Sequence, residues 1–187
     1  YQNYGVKPDM VTVAKGVASG YAAIACLVTT EDVFDMFKDD PSDPMNYFRD
    51  ISTFGGCTAG PAAAIENMRI IEEENLLQNT LDMGERMVNN LNALSEKHAV
   101  IGEVRGAGLF CGAELVQDRA TKDPAEEKLV QAVVADCMAQ GVVIGATNRS
   151  LPGLNNTLCF SPALIATADD IDHINDAVDQ ALGRVFS

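Results

Sequence analysis

The chain has 187 residues, 47% of them hydrophobic, with 27 acidic against 13 basic side chains and a net charge of -14. That hydrophobic share supports a packed core, while the acid excess excludes the basic face that nucleic acid or an anionic membrane surface would require. No apolar run reaches membrane-spanning length and no secretory or transit pattern opens the chain; Cys26, Cys57, Cys111, Cys137 and Cys159 are scattered without a Cys-x-x-Cys pair, so neither a zinc site nor a disulfide framework is suggested and a reducing cytoplasm fits.

Taken in order, Pro8-Asp9 is a turn signal, Met10–Ala14 reads as a buried strand, and Gly16 and Gly20 mark irregular backbone after it. Residues 22–29 read as a second continuous buried strand. Thr30-Glu31-Asp32 opens a short helix reaching Met36 and Phe37, capped by the threonine or its neighbour. Residues 39–50 carry Pro41, Pro44 and several charges; a connector of this length predicts a functional or inter-subunit role. Pro61 lies near the start of a helix whose predicted face is Ala64, Met68 and Ile71, and Asn75 interrupts it. A second helical run follows, with Leu77, Leu81, Gly84, Val88, Leu91 and Leu94 at spacings of three and four. It is too short for a coiled coil and is expected to pack across a domain junction.

From about residue 78 a smaller α+β unit is expected. Residues 100–105 and 108–115 predict two antiparallel strands joined through glycines. Asp123-Pro124 breaks the chain before a helix over 125–140, with Gly141 as C-terminal cap. Residues 142–144 and Thr157–Phe160 predict strands on either side of a polar loop, 147–156. Thr167 begins the last helix, with Asp170 completing a capping box and Ile171, Ile174, Val178, Leu182 and Val185 as its buried stripe.

Lys15 stands at the end of the first apolar run and directly before Gly16, where an α/β sheet opens into a ligand cleft. A primary amine desolvated at such a point can lose its proton and form a Schiff base with an aldehyde cofactor. For a lone strand-end lysine the plainer reading is a surface side chain; the remaining blocks of the chain reverse that preference.

Pro8, Asp9, Thr12, Ala14, Lys15, Gly16, Ser19, Gly20 and Tyr21 form the first of these blocks, and Ser52-Thr53-Phe54-Gly55-Gly56 the second. Val104-Arg105-Gly106-Ala107-Gly108-Leu109 and Ser161-Pro162-Ala163-Leu164-Ile165 follow. Together, in this order, they resemble the class III aminotransferases, which use pyridoxal 5'-phosphate, and among these the taurine- and amine-type pyruvate aminotransferases. The resemblance implies an α/β architecture: the end of a fold-type I large domain over residues 1–77, then a small C-terminal α+β domain over 78–187. It also implies a piece of a longer subunit, because the early strands and the aspartate that pairs with the pyridine nitrogen have no counterpart here.

By the same resemblance, Lys15 holds the cofactor as a Schiff base and shuttles a proton. Thr53, with Phe54 beside it, serves the cofactor phosphate of a neighbouring subunit, which requires at least a homodimer. An ordinary turn threonine is the alternative reading of Thr53. The substrates implied are an amine or ω-amino acid donor and a keto-acid acceptor such as pyruvate. A decarboxylase, aminomutase or racemase on the same scaffold, or a non-catalytic assembly fragment, are the alternatives. Three positions depart from the commoner pattern: Thr58 and Ala23 stand where many members have proline, and Leu158 where many have a carboxylate-binding arginine. Arg149 is the substitute for that arginine, since a guanidinium grips a carboxylate or sulfonate bidentately; a solvent-exposed loop arginine is the equal alternative. Arg105 is expected to brace the glycine turn, and His98 and His173 are assigned no role. Gly106-x-Gly108 lacks the third glycine and the following helix of a dinucleotide site.

Overall fold

The computed structural model describes residues 1–38, 40 and 42–187, which divide into two compact units, Tyr1–Glu74 and Asn75–Ser187. In the first, β1 (Met10–Ala14) pairs antiparallel with β2 (Ala25–Thr29), Ala14 opposite Ala25. The segment between them turns at once into a short 3-10 helix, Lys15–Ala18. Then come α1 (Glu31–Asp35) and, after an irregular stretch, α2 (Ala59–Glu73).

Three expectations for this unit change. β2 begins at Ala25, three residues later than expected, and neither strand is buried: Met10, Leu27 and Val28 are each more than half exposed. An apolar run identifies a strand, but its burial depends on a layer packed over it, and α2 packs on the 3-10 turn instead. The face of α2 is Gly60, Ala64 and Asn67, spaced i, i+4, i+7, while Met68 is exposed. The expected role of loop 39–50 falls partly outside the described residues, at Asp39 and Pro41.

Asn75, in the left-handed region at φ 51°, separates α2 from α3 (Leu76–Lys97). The second unit continues with β3 (Ile101–Ala107), β4 (Phe110–Leu115), α4 (Glu127–Ala139), β5 (Gly145–Ala146), β6 (Thr157–Phe160) and α5 (Ala168–Val185). Its sheet is antiparallel throughout, in the order β3-β4-β6-β5. α3 packs on β3 and β4, α4 on β5 and β6, and α5 on both α3 and α4. Leu91, Ile101, Leu115, Val130, Leu158 and Leu182 form the centre of one apolar core between these layers.

Local signals explain the boundaries. Thr167 and Asp170 complete a reciprocal capping box at α5, whose first turn is acidic and whose last carries Arg184, both favourable to the helix dipole. α4 ends in a Schellman pattern: Gly141, at φ 84°, donates to Met138 O and Val142 to Cys137 O. The strand expected at 142–144 starts only at Gly145; Val142 is still completing that cap. In α3, Leu76, Gly84, Met87, Leu91 and Leu94 are buried while Leu77 and Leu81 are exposed, so its first turns face inward one residue earlier than expected. Gly84 has a clear reason to be glycine. A β-carbon there would meet Gly108 Cα at 2.7 Å and its carbonyl closer still, so the helix lies directly on the β3–β4 turn.

Arg105 braces the hairpin ladder, not its turn, pairing with Glu114 at 3.0 Å and Glu103 at 3.3 Å. His98, given no role from sequence, shares Asp179 with Lys97, its Nε2 2.6 Å from Oδ1. Among the described residues, no helix is long and apolar enough to cross a membrane and no cluster of three or more His, Cys, Asp or Glu could hold a metal ion.

Candidate active site

Lys15 is the first residue of the 3-10 turn and has φ 54°, a conformation that side-chain-bearing residues rarely adopt. Ser19 at φ 50° and Gly20 at φ 77° close the same turn. Its internal hydrogen bonds run from Ser19 N to Gly16 O and from Tyr21 N to Ala18 O, both 3.0 Å. Lys15 sits beside an open depression of about 570 Å³ that Gly16, Gly20, Ala22 and Ala23 also line. A β-carbon on Gly16 or Gly20 would meet nothing within 4 Å, and Ala14 and the larger Ile24 complete the lining of the depression. The side chain is exposed in this unit, so the desolvation expected of it is not supplied by residues 1–74.

Thr53 and Phe54 stand in a tight turn ahead of α2, in the same unit as Lys15 but not among the residues lining its depression. Asp50 organises the approach to that turn: Oδ1 accepts from the Ser52 hydroxyl at 2.7 Å and from its backbone N–H at 2.9 Å, and these bonds hold the Asp50 carboxyl below the usual range. Gly55 N donates to Ser52 O, and Gly56 has φ 79°. Phe54 is 82% exposed, an unusual place for an aromatic ring on a free surface.

Arg149 belongs to the other unit, exposed on the loop between β5 and β6. Glu127, in the first turn of α4, shapes that loop. Its Oε1 accepts from Gly153 N at 2.7 Å, Asn155 Nδ2 at 2.9 Å and Asn155 N at 3.2 Å, while Asn155 Oδ1 accepts from Ser150 N. The Asn155 side chain, then the backbone N–H groups, hold the Glu127 carboxyl below its ordinary value.

Sequence reasoning missed Asn67. Its side-chain amide donates from α2 to Val17 O at 3.1 Å and Gly16 O at 3.2 Å, directly after the lysine. The available signal was a polar side chain seven residues after Gly60 and three after Ala64, on the face of α2 that packs inward.

The aminotransferase class-III family model matches residues 1–182. The chain belongs to that family. Among curated relatives, the hypotaurine/taurine–pyruvate aminotransferase of Paracoccus denitrificans (strain Pd 1222) is 75% identical over 187 residues. The taurine–pyruvate aminotransferase of Rhodobacter capsulatus is 70% identical over 185. The matches cover 100% and 99% of this class III chain but only 41% and 40% of those two proteins. Among solved structures, a Bacillus anthracis aminotransferase superposes with a TM-score of 0.92 at 34% identity, over 98% of this chain and 40% of that one. An amine transaminase from an uncultivated Pseudomonas species, solved PLP-bound in the internal aldimine form, gives 0.87 at 26% identity, over 98% and 40%.

Proposed function

We propose that the chain supplies the lysine-bearing part of a pyridoxal-phosphate-dependent aminotransferase, which moves an amino group from an amine or ω-amino acid to a keto acid such as pyruvate. The observation that carries this reading is Lys15 itself: the lysine of a class-III chain, at the end of β1, on strained backbone, beside an open depression lined by glycines, alanines and Ile24. The similarity to taurine–pyruvate aminotransferases favours an aminosulfonate such as taurine as donor.

The residues present fit the cofactor. The depression beside the amine is open, with free space over Gly16 and Gly20 and an otherwise apolar lining of Ala14, Ala22, Ala23 and Ile24 that a flat aromatic ring can lie against. When bound, the pyridine ring accepts the electron pair left at the donor carbon, which makes that carbon's proton labile. Lys15 Nζ would hold the cofactor and would carry the proton at the donor carbon; an arginine, always charged, could do neither. The Thr53 hydroxyl and the glycine-rich turn ahead of α2 suit a phosphate dianion. We assign them, with Phe54, to the cofactor of a second subunit, which fits the ring's exposure and its distance in sequence from the lining of the Lys15 depression. Arg149 grips the donor's carboxylate or sulfonate. Residues 1–77 then close a large cofactor-binding domain and 78–187 form the small one, a division supported by the two compact units. The assembly is at least a homodimer, and its free cysteines suit the cytoplasm.

Borohydride reduction of the cofactor-loaded, full-length subunit followed by peptide mapping tests the lysine. A pyridoxyl mass on the Lys15 peptide is expected, and label on Lys7 or Lys38 instead refutes the assignment. Lys15→Ala abolishes turnover while the protein stays folded. For the shared site, a Lys15→Ala subunit is mixed with one carrying Thr53→Ala and a disabling change at Phe54. Mixed dimers place both lesions in one site and none in the other, so activity returns; no return in demonstrated mixed dimers would place Thr53 in its own subunit's site or in none.

A further inference from the structure

We propose that Asn67 is a positioning residue for Lys15, holding the left-handed backbone from which the lysine amine projects; this rests on the role argued for Lys15 above. A lysine at φ 54° followed by Ser19 at φ 50° is a disfavoured conformation that persists only where its surroundings over-determine it. The hydrogen bonds inside the turn are local, Ser19 to Gly16 and Tyr21 to Ala18. A polar tie from elsewhere in the chain is the Asn67 amide, which reaches Gly16 O and Val17 O across 51 and 50 residues of sequence. Both carbonyls belong to the two residues immediately after Lys15, so the Asn67 amide anchors the backbone on the C-terminal side of the lysine.

The same helix grips the segment at its far end. A β-carbon on Gly60 would lie 3.0 Å from Ala23 O and 3.3 Å from Ile24 Cβ, so α2 touches the chain just before β2 begins. Asn67 and Gly60 lie on one face of α2, two turns apart, with buried Ala64 between them. The rim of the depression, from Lys15 to Ala23, is thus suspended between two fixed points of one helix. Only one of those points is polar and directional, and it is the one next to the reactive amine. Replacing its NH2 donor by oxygen, as in Asn67→Asp, keeps the side chain's shape but sets a carboxylate against two carbonyls.

In the full-length subunit, Asn67→Asp is expected to lower kcat roughly 10- to 100-fold with little change in KM for the amine donor, since a misplaced group costs the chemical step more than binding. The pH midpoint of the bound cofactor's visible absorbance should shift. In cofactor-free protein, the Ser19 and Tyr21 amides should exchange their hydrogens faster, and Asn67→Gln, which keeps a donor, should regain part of each loss. If Asn67→Asp does not fold, Asn67→Ser carries the same readouts. Unchanged exchange at Ser19 and Tyr21 overturns the proposal, as does faster exchange with kcat and the absorbance midpoint unmoved. Borohydride label on Lys7 or Lys38 would remove the reading of Lys15 and this proposal with it; label on Lys15 with unchanged exchange removes this proposal alone.

Discussion

Between β3 and α5 the chain buries Ile101, Leu115, Val130, Leu158, Ile171 and Leu182 to 1% exposure or less, whereas in residues 1–74 only Ala18, Gly60 and Ala64 are buried among those described. In the first segment Tyr21 is 91% exposed and Ile51 86%. The two segments are held by different physics. Apolar packing between a sheet and three helices organises 75–187, while turns, left-handed residues and the Asn67 amide organise the surroundings of the lysine. The segment around Lys15 is therefore held mainly by local hydrogen bonds and the segment from residue 75 onward mainly by apolar burial.

The largest contrast should appear when the segments are produced separately. Residues 75–187 are expected to melt in one cooperative calorimetric transition, while 1–74 shows none and aggregates through its exposed apolar surface and open strand edges. A cooperative transition in 1–74 would erase the contrast. Next, Leu182→Ala should cost about 3 kcal/mol in denaturant unfolding, because it opens a cavity in the core. Leu27→Ala, at a side chain already 58% exposed, should stay within about 0.5 kcal/mol.

Gly84→Ala tests a subtler feature. Alanine gains about 1 kcal/mol of helix propensity over glycine, yet here its methyl group strikes Gly108 backbone, which cannot rotate aside. A net loss of about 2 kcal/mol is expected, with the helix or the hairpin displaced. Net stabilisation would mean that α3 does not lie on the turn.

The smallest effect is electrostatic. Arg86, with Asn90, holds the Asp172 carboxyl below its ordinary range, and His98, with Lys97, does the same for Asp179. Their contribution is complete above the unfolded carboxylate value near ~3.9 and is lost as pH falls through the lowered folded values. The urea midpoint of 75–187 should therefore drop below about pH 4, and Asp172→Asn should flatten that drop.

Legibility in the sequence followed the same division. The β3–β4 hairpin, β6 and the capped α5 were readable because period, turn glycines and the Thr167 box agree locally. The facing of α3 was not, since Leu76 and Leu77 are adjacent and only the neighbouring layer decides which turns inward. In the first segment the positions of Lys15 and β1 were readable. The exposure of β1 and β2 was not, because burial is a property of what packs over a strand. Asn67 escaped notice because Met68 completed an equally plausible apolar face beside Ala64 and Ile71.

The loop bearing Arg149 invites a different use. One oxygen of Glu127 gathers the Gly153 and Asn155 N–H groups and the Asn155 amide, and Asn155 reaches back to Ser150. The span between β5 and β6 is therefore a cassette with pinned ends, not a loose tether. Residues 148, 149, 151 and 152 form its exchangeable insert; on the role proposed for Arg149, diversifying them would retune which donor headgroup is accepted while Glu127 and Asn155 keep the frame in place.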